Sequence, residues 1–142
     1  MRRYIVVAHQ TLGSSELLEA MRDRLSEGPC TFHLVVPVSH GGGHGLHWTE
    51  GKARAEAARH LEDARLRFVE AGLAVTGEVG DTHPLYAVSD VLTREGTDAF
   101  DGVIVSTLPL AVSKWLRLDA PSRIHRNTGL PVTHVVGQPV YA

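Results

Sequence analysis

The chain has 142 residues, of which 43% are hydrophobic and 21% charged, with a formal net charge of -2 and a single cysteine. This length is typical of one domain with a single core, so residues 1–142 are interpreted as one domain. The near-neutral charge argues against binding to nucleic acid or a membrane surface, which requires a positive field. The lone Cys30 excludes an intramolecular disulfide, and the first apolar run is too short for a signal peptide or a membrane span. We therefore expect a cytoplasmic protein.

Five short apolar runs predict five β-strands. They comprise residues 4–8, 32–36, 73–79, 103–105 and 132–136. Several runs are continuous and rich in β-branched residues instead of alternating with polar ones. This pattern is typical of strands that are buried on both faces, as in a parallel sheet covered by helices.

The segments between these runs have helical spacing. The first predicted helix begins near Ser14, the second ends at Gly72, and the third begins at Pro84. The fourth, residues 111–126, is interrupted near Asp119. Strands and helices thus alternate, which predicts the α/β class with a single doubly wound, five-stranded parallel sheet.

Ligands of such sheets bind beyond the carboxyl ends of the strands, where the strand order reverses. Hydroxyl groups, cations and an indole follow these strand ends, and together they can hold a phosphate and stack a base. In the alternative interpretation, the indole belongs to the core or an interface and the cations are solvated. The candidate ligand-binding residues are Gln10, Thr11, Val38, Ser106, Thr107, Lys114, Trp115, Arg117 and Ser122.

The glycine-rich loop after the second strand contains three histidines, His40, His44 and His47. A metal site needs imidazoles held at roughly 2 Å from one ion, and a glycine-rich loop does not preorganise them. No cysteine lies nearby, so we predict no metal. A metal-dependent hydrolase that uses these histidines is the least favoured hypothesis.

The search for catalytic motifs gives no positive evidence of an enzyme. Ser106, His9 and Asp81 could converge at the carboxyl edge of the sheet, but no G-x-S-x-G motif is present. Neither the P-loop motif nor the G-x-G-x-x-G fingerprint occurs. The question of catalysis stays open at this point, with a non-catalytic protein favoured.

The order of the elements and five segments resemble the universal stress protein family over nearly the whole chain. The segments are YIVVAHQT, FHLVVPV, GEVGDTHPLYAVSDVL, TDAFDGVIVST and RIHRNTGLPVTHVV. The resemblance implies a flavodoxin-like sheet, also described as adenine nucleotide alpha-hydrolase-like, with strand order 3-2-1-4-5. It also implies a homodimer, often paired through the last strand, here residues 132–136.

One branch of that family binds ATP through G-x2-G-x9-G-[ST] after strand four, with an aspartate after strand one. The four motif positions fall on Ser106, Pro109, Asp119 and Ala120, and the aspartate position falls on Gln10. Glycine lets backbone amides approach phosphate, whereas proline removes an amide and a carboxylate repels the phosphate. ATP or AMP as a cofactor is therefore disfavoured, and we expect no cofactor.

We accordingly expect a universal-stress-protein-like binding or regulatory module that does not bind ATP in the family's usual mode. The alternative is a protein that binds an adenine nucleotide or another small anion through an altered cleft between strands one and four. Two outcomes are open for that cleft. Either the hydroxyls and neighbouring cations form a new anion site, or Trp115 and Pro109 close the space where the family binds ATP. Of these two outcomes we favour closure.

Overall fold

A computed structural model describes residues 1–39 and 50–141 of the chain. These residues form one sheet of five parallel strands in the order β3-β2-β1-β4-β5. The predicted fold class and the 3-2-1-4-5 order are both confirmed. The strands are β1 (Arg2–Val7), β2 (Cys30–Pro37), β3 (Val75–Gly80), β4 (Gly102–Thr107) and β5 (Val132–Val136).

Helices flank the sheet, and the predicted interruption near Asp119 divides the fourth helical segment into two. No helix within residues 1–39 and 50–141 is long and apolar enough to cross a membrane. The helices are α1 (Ser15–Ser26), α2 (Glu50–Glu70), α3 (Pro84–Glu95), α4 (Lys114–Arg117) and α5 (Ala120–Thr128), and a short 3-10 turn spans Thr97–Ala99.

The core consists of two apolar layers, one on each face of the sheet. Alternate residues of β1 point to opposite faces, so that Val6 packs with α1 and α2 while Val7 packs with α3 and α5. Both faces are covered, which explains why the strand sequences are continuously apolar. The continuous apolar runs in the sequence therefore correspond to strands that have a helical layer on each face.

β1 lies in the middle of the sheet and pairs with β2 on one side and β4 on the other. Val7 is opposite Val35 of β2 and Val105 of β4. Because all strands are parallel, the residues after β1, β2 and β4 emerge at the same edge. This edge is the one where the sequence places the candidate ligand-binding residues.

Asp119, between α4 and α5, has a left-handed backbone with φ 54° and ψ 39°. It is the one non-glycine residue with positive φ in the described part of the chain. Asp119 also occupies the third glycine position of the ATP-binding motif. The backbone at this position thus has a conformation that suits glycine, although the side chain is a carboxylate.

We expect Asp119→Gly to be more stable than Asp119→Ala by about 1 kcal/mol, because only glycine adopts positive φ without strain. Both variants lose the same exposed ion pair, 3.6 Å between Asp119 and Arg126, so its small contribution cancels. Urea unfolding of the two variants measures the difference. An alanine variant as stable as the glycine variant would contradict a strained backbone at residue 119.

Candidate functional site

A cleft of about 580 Å³ lies at the carboxyl ends of β1, β2 and β4. It brings together seven of the nine candidate residues, which come from four separate stretches of the chain. These are Gln10, Thr11, Val38, Ser106, Thr107, Lys114 and Trp115, and the remaining lining residues are His9, Pro37, Ser39, Thr82, Leu108, Val112, Ser113 and Leu118.

Two candidate residues do not line the cleft. Arg117 is exposed on α4, where its Nη2 donates to the carbonyl of Ala111 at 3.4 Å. Ser122 is exposed on α5. Of the two candidate cations, Lys114 and Arg117, only Lys114 therefore lines the cleft.

The metal hypothesis concerns residues that the structure does not describe. His40, His44 and His47 all lie outside residues 1–39 and 50–141. Within those two ranges, no group of three or more histidine, cysteine, aspartate or glutamate side chains is placed to hold a metal ion.

The loop after β4 leaves the cleft open, so the expectation that Trp115 and Pro109 close it is wrong for the described residues. Trp115 is half-buried and packs against the core layer of α3 and α5 while it lines the cleft. Pro109 is exposed, and its carbonyl accepts from the amides of Val112 and Ser113 at 3.0 Å each. The loop therefore turns onto itself and does not fill the space.

Hydroxyl groups form the floor of the cleft. Thr11 Oγ1 and Ser106 Oγ are 2.6 Å apart, and both residues are only 1% exposed. Thr107 Oγ1 donates to the carbonyl of Leu108 at 2.9 Å and lies 2.8 Å from His134 Nε2. The Thr107 hydroxyl has a single proton, so the imidazole of His134 acts as its donor and not as a base that activates it.

The walls are mostly apolar and carry little charge. Val38 and Trp115 line the inner part, while Val112 and Leu118, 60% and 43% exposed, line the rim. Lys114 is the sole lysine or arginine among the described lining residues, and no aspartate or glutamate is among them. Such walls suit an apolar body and provide at most one counter-charge.

His9 lies two residues after the end of β1 and is 5% exposed. Its Nε2 lies 2.9 Å from Nδ1 of His60 on α2, and its own Nδ1 has no hydrogen-bond partner in the described part of the chain. Burial lowers the pKa of His9 below its usual value, and the neighbouring His60 lowers it further. Burial also lowers the pKa of His60.

The three residues that could have formed a catalytic triad have other partners. Ser106 Oγ is bonded to Thr11, His9 Nε2 is bonded to His60, and Asp81 Oδ1 accepts from the amide of His83 at 2.8 Å. No bond joins any two members of the set. The arrangement of the described residues thus provides no activated serine.

Residues 137–141 fold across the end of β1, which the sequence analysis did not anticipate. The carbonyl of Gln10 accepts from the amides of Val140 and Tyr141 at 2.6 and 3.0 Å. The Tyr141 ring stacks on His60 with centroids 3.9 Å apart, and its hydroxyl donates to Asp63 of α2. These contacts hold α2 against the cleft residue His9.

No protein-family model and no curated protein matches the chain. The class that the fold and the site define is a doubly wound α/β protein with a cleft at the reversal of its strand order. The likeness to universal stress proteins therefore rests on the order of the elements and on the five sequence segments, and it stays a prediction.

We expect the free energy of unfolding to fall as the pH is lowered from 7.5 to 5.5. Burial lowers the folded-state pKa of His9, His60 and His134, so the unfolded chain binds more protons over this range. The stability that these histidines contribute is complete above their unfolded pKa near 6.5 and is lost as the pH falls towards the lower folded values.

Urea unfolding at the two pH values measures the effect, and His9→Gln removes one of the three groups. The pH difference should be smaller in the variant than in the natural sequence. An equal pH difference in both proteins would show that His9 does not contribute to it.

Proposed function

We propose that this protein is a universal-stress-protein-like binding module that holds a small ligand in the cleft and does not bind ATP in the family's usual mode. The observation that carries the proposal is the cleft itself, which lies at the reversal of strand order and gathers seven candidate residues. Ligands of parallel α/β sheets are commonly bound at this position.

The contacts at the former motif positions argue against a bound triphosphate. Ser106 is buried against Thr11, and Pro109 uses its carbonyl in a tight turn and has no amide to donate. Asp119 does not line the cleft, and its exposed carboxylate pairs with Arg126, so the third motif position offers no amide or cation to a phosphate there. Lys114 alone cannot neutralise the several negative charges of a triphosphate beside apolar walls.

A second possible anion site, the N-terminus of α1, is also used internally. Ser14 Oγ accepts from the amide of Leu17 at 3.2 Å, and Glu16 adds a carboxylate in the first turn. Glu16 Oε1 in turn accepts from the amide of Gln138 at 3.4 Å. The positive end of this helix is thus satisfied by the chain's own groups.

The alternative proposal is a site for a small anion or an altered adenine nucleotide. Lys114 and the floor hydroxyls favour it, whereas Arg117 and Ser122 would contribute nothing from their positions outside the cleft. Pairing of two copies through β5 also remains a proposal. β5 is an edge strand whose Val136 is 47% exposed, which suits strand addition.

Thermal-shift titrations with ATP, AMP and inorganic phosphate at matched ionic strength test the proposal. We expect ATP to raise Tm no more than phosphate does, because the cleft does not bind ATP specifically. A ligand that binds only the folded state would, at 100 times its Kd, stabilise the protein by about 2.7 kcal/mol and so raise Tm measurably. Lys114→Gln serves as the control for simple charge attraction. A saturable, ATP-specific rise that Lys114→Gln retains would overturn the proposal.

A further inference from the structure

The floor of the cleft has one hydroxyl proton more than its own acceptors use. Thr11 and Ser106 each carry a single proton, and their mutual hydrogen bond uses one of the two. Within residues 1–39 and 50–141, neither hydroxyl has a second hydrogen-bond partner. Because a buried donor without an acceptor is unfavourable, an acceptor atom of a ligand would be stabilised here.

His9 is a second buried polar group of the cleft. It lines the cleft at 5% exposure, and its Nδ1 makes no hydrogen bond of good geometry with the described residues, although the Pro37 backbone is close enough to raise its pKa. Thr107, by contrast, already has both Leu108 and His134 as partners. The hydroxyl proton without an acceptor therefore lies at the end of the cleft that is formed by the carboxyl ends of β1 and β4.

The walls above this floor define the rest of the ligand. Val38, Leu108, Val112 and Leu118 are apolar, and Trp115 adds an aromatic surface. Aromatic rings prefer to contact each other by offset stacking or edge to face, so a ring compound matches this lining. A volume of about 580 Å³ is large enough for a fused bicyclic ring.

Charge limits the ligand further. Lys114, the one lysine or arginine among the lining residues that the structure describes, is exposed, and the neighbouring walls cannot solvate a second negative charge. A single carboxylate can be neutralised by Lys114, and an uncharged amide needs no counter-ion. A phosphate dianion would leave one charge uncompensated against apolar side chains.

We propose that the cleft binds an aromatic ring compound that bears a carbonyl-type acceptor and at most one negative charge. The acceptor meets the Thr11–Ser106 hydroxyl pair, and the ring lies against Trp115. This inference rests on the proposed function, in that it assumes that the cleft takes a small ligand, and it assigns the chemical class of that ligand.

Isothermal titration calorimetry with three compounds that share one ring tests the ligand class: 2-naphthamide, 2-naphthoate and 2-naphthyl phosphate. We expect the amide and the carboxylate to bind more tightly than the phosphate ester. Trp115→Leu should weaken the binding of all three, because each uses the same ring contact.

Two variants separate the floor from the rim. Thr11→Val with Ser106→Ala removes both hydroxyls together and should weaken the amide and the carboxylate about three- to tenfold, the effect of one lost hydrogen bond. If that double variant is unfolded, Thr11→Ala with Ser106→Ala, which also removes both hydroxyls, takes its place. Lys114→Met should weaken the carboxylate and the phosphate ester but not the amide, and Ser122→Ala, outside the cleft, should leave all affinities unchanged.

Each failure has its own meaning. Tightest binding of the phosphate ester, undiminished binding to the hydroxyl-free variant, or no binding of any of the three compounds would overturn the assigned ligand class. The proposed function would fail separately, through a saturable, ATP-specific rise in Tm that Lys114→Gln retains. A phosphate ester that binds best without an ATP response would therefore refute the ligand class alone.

Discussion

The central strand β1 is the constraint on which the rest of the structure depends. It is hydrogen-bonded on both sides, to β2 and β4, and its residues 4–7 are buried. A strand that is paired on both sides and buried on both faces is typically apolar and rich in β-branched residues. The neighbouring strands run parallel to it, because the chain connects them through helices. Their ends consequently meet beside the end of β1, where Gln10 and Thr11 emerge.

The chemistry of the resulting cleft differs from that of a phosphate site. A phosphate site presents backbone amides and cations, and glycines permit its close approach to the ligand. Here the first motif position carries a buried hydroxyl, that of Ser106, while Pro109 and Asp119 at the next two positions do not line the cleft. Hydrogen bonds between neutral groups and apolar contact therefore dominate, which favours ligands of low charge.

At Asp119 the backbone has a conformation typical of glycine, but the residue is not the glycine that a phosphate-binding loop would need. Its backbone has the left-handed geometry that glycine adopts freely, while its side chain pairs with Arg126 at the surface. The turn between α4 and α5 is thus formed without the residue type that phosphate approach requires. The backbone of Asp119 forms the turn, whereas its carboxylate, which would repel a phosphate, lies outside the cleft.

The sequence predicts the fold well because its signals are local. The five apolar runs and the helix starts at Ser14 and Pro84 depend on periodicity and capping, which a short window reveals. The edge that carries the site follows from the general rule for parallel sheets. Strand order, in contrast, came from the family resemblance.

Long-range contacts are the part that the sequence did not reveal. The pair of His9 and His60 joins residues 51 positions apart, and the stack of Tyr141 on His60 spans a further 81. Whether Trp115 lines or fills the cleft depends on the turn at Pro109 and on packing against α3 and α5. No local sequence pattern predicts the His60 contacts or the position of Trp115. The expectation of a closed cleft was therefore wrong for the described residues.

The most direct test of the account is backbone-amide NMR of the protein titrated separately with 2-naphthamide and with ATP. The account predicts that the amide compound shifts the signals of Thr11, Ser106 and Trp115 in a saturable manner, while ATP leaves Asp119 and Ala120 unperturbed. Saturable ATP-induced shifts at those two residues, with no response of Thr11 and Ser106 to the amide compound, would contradict it.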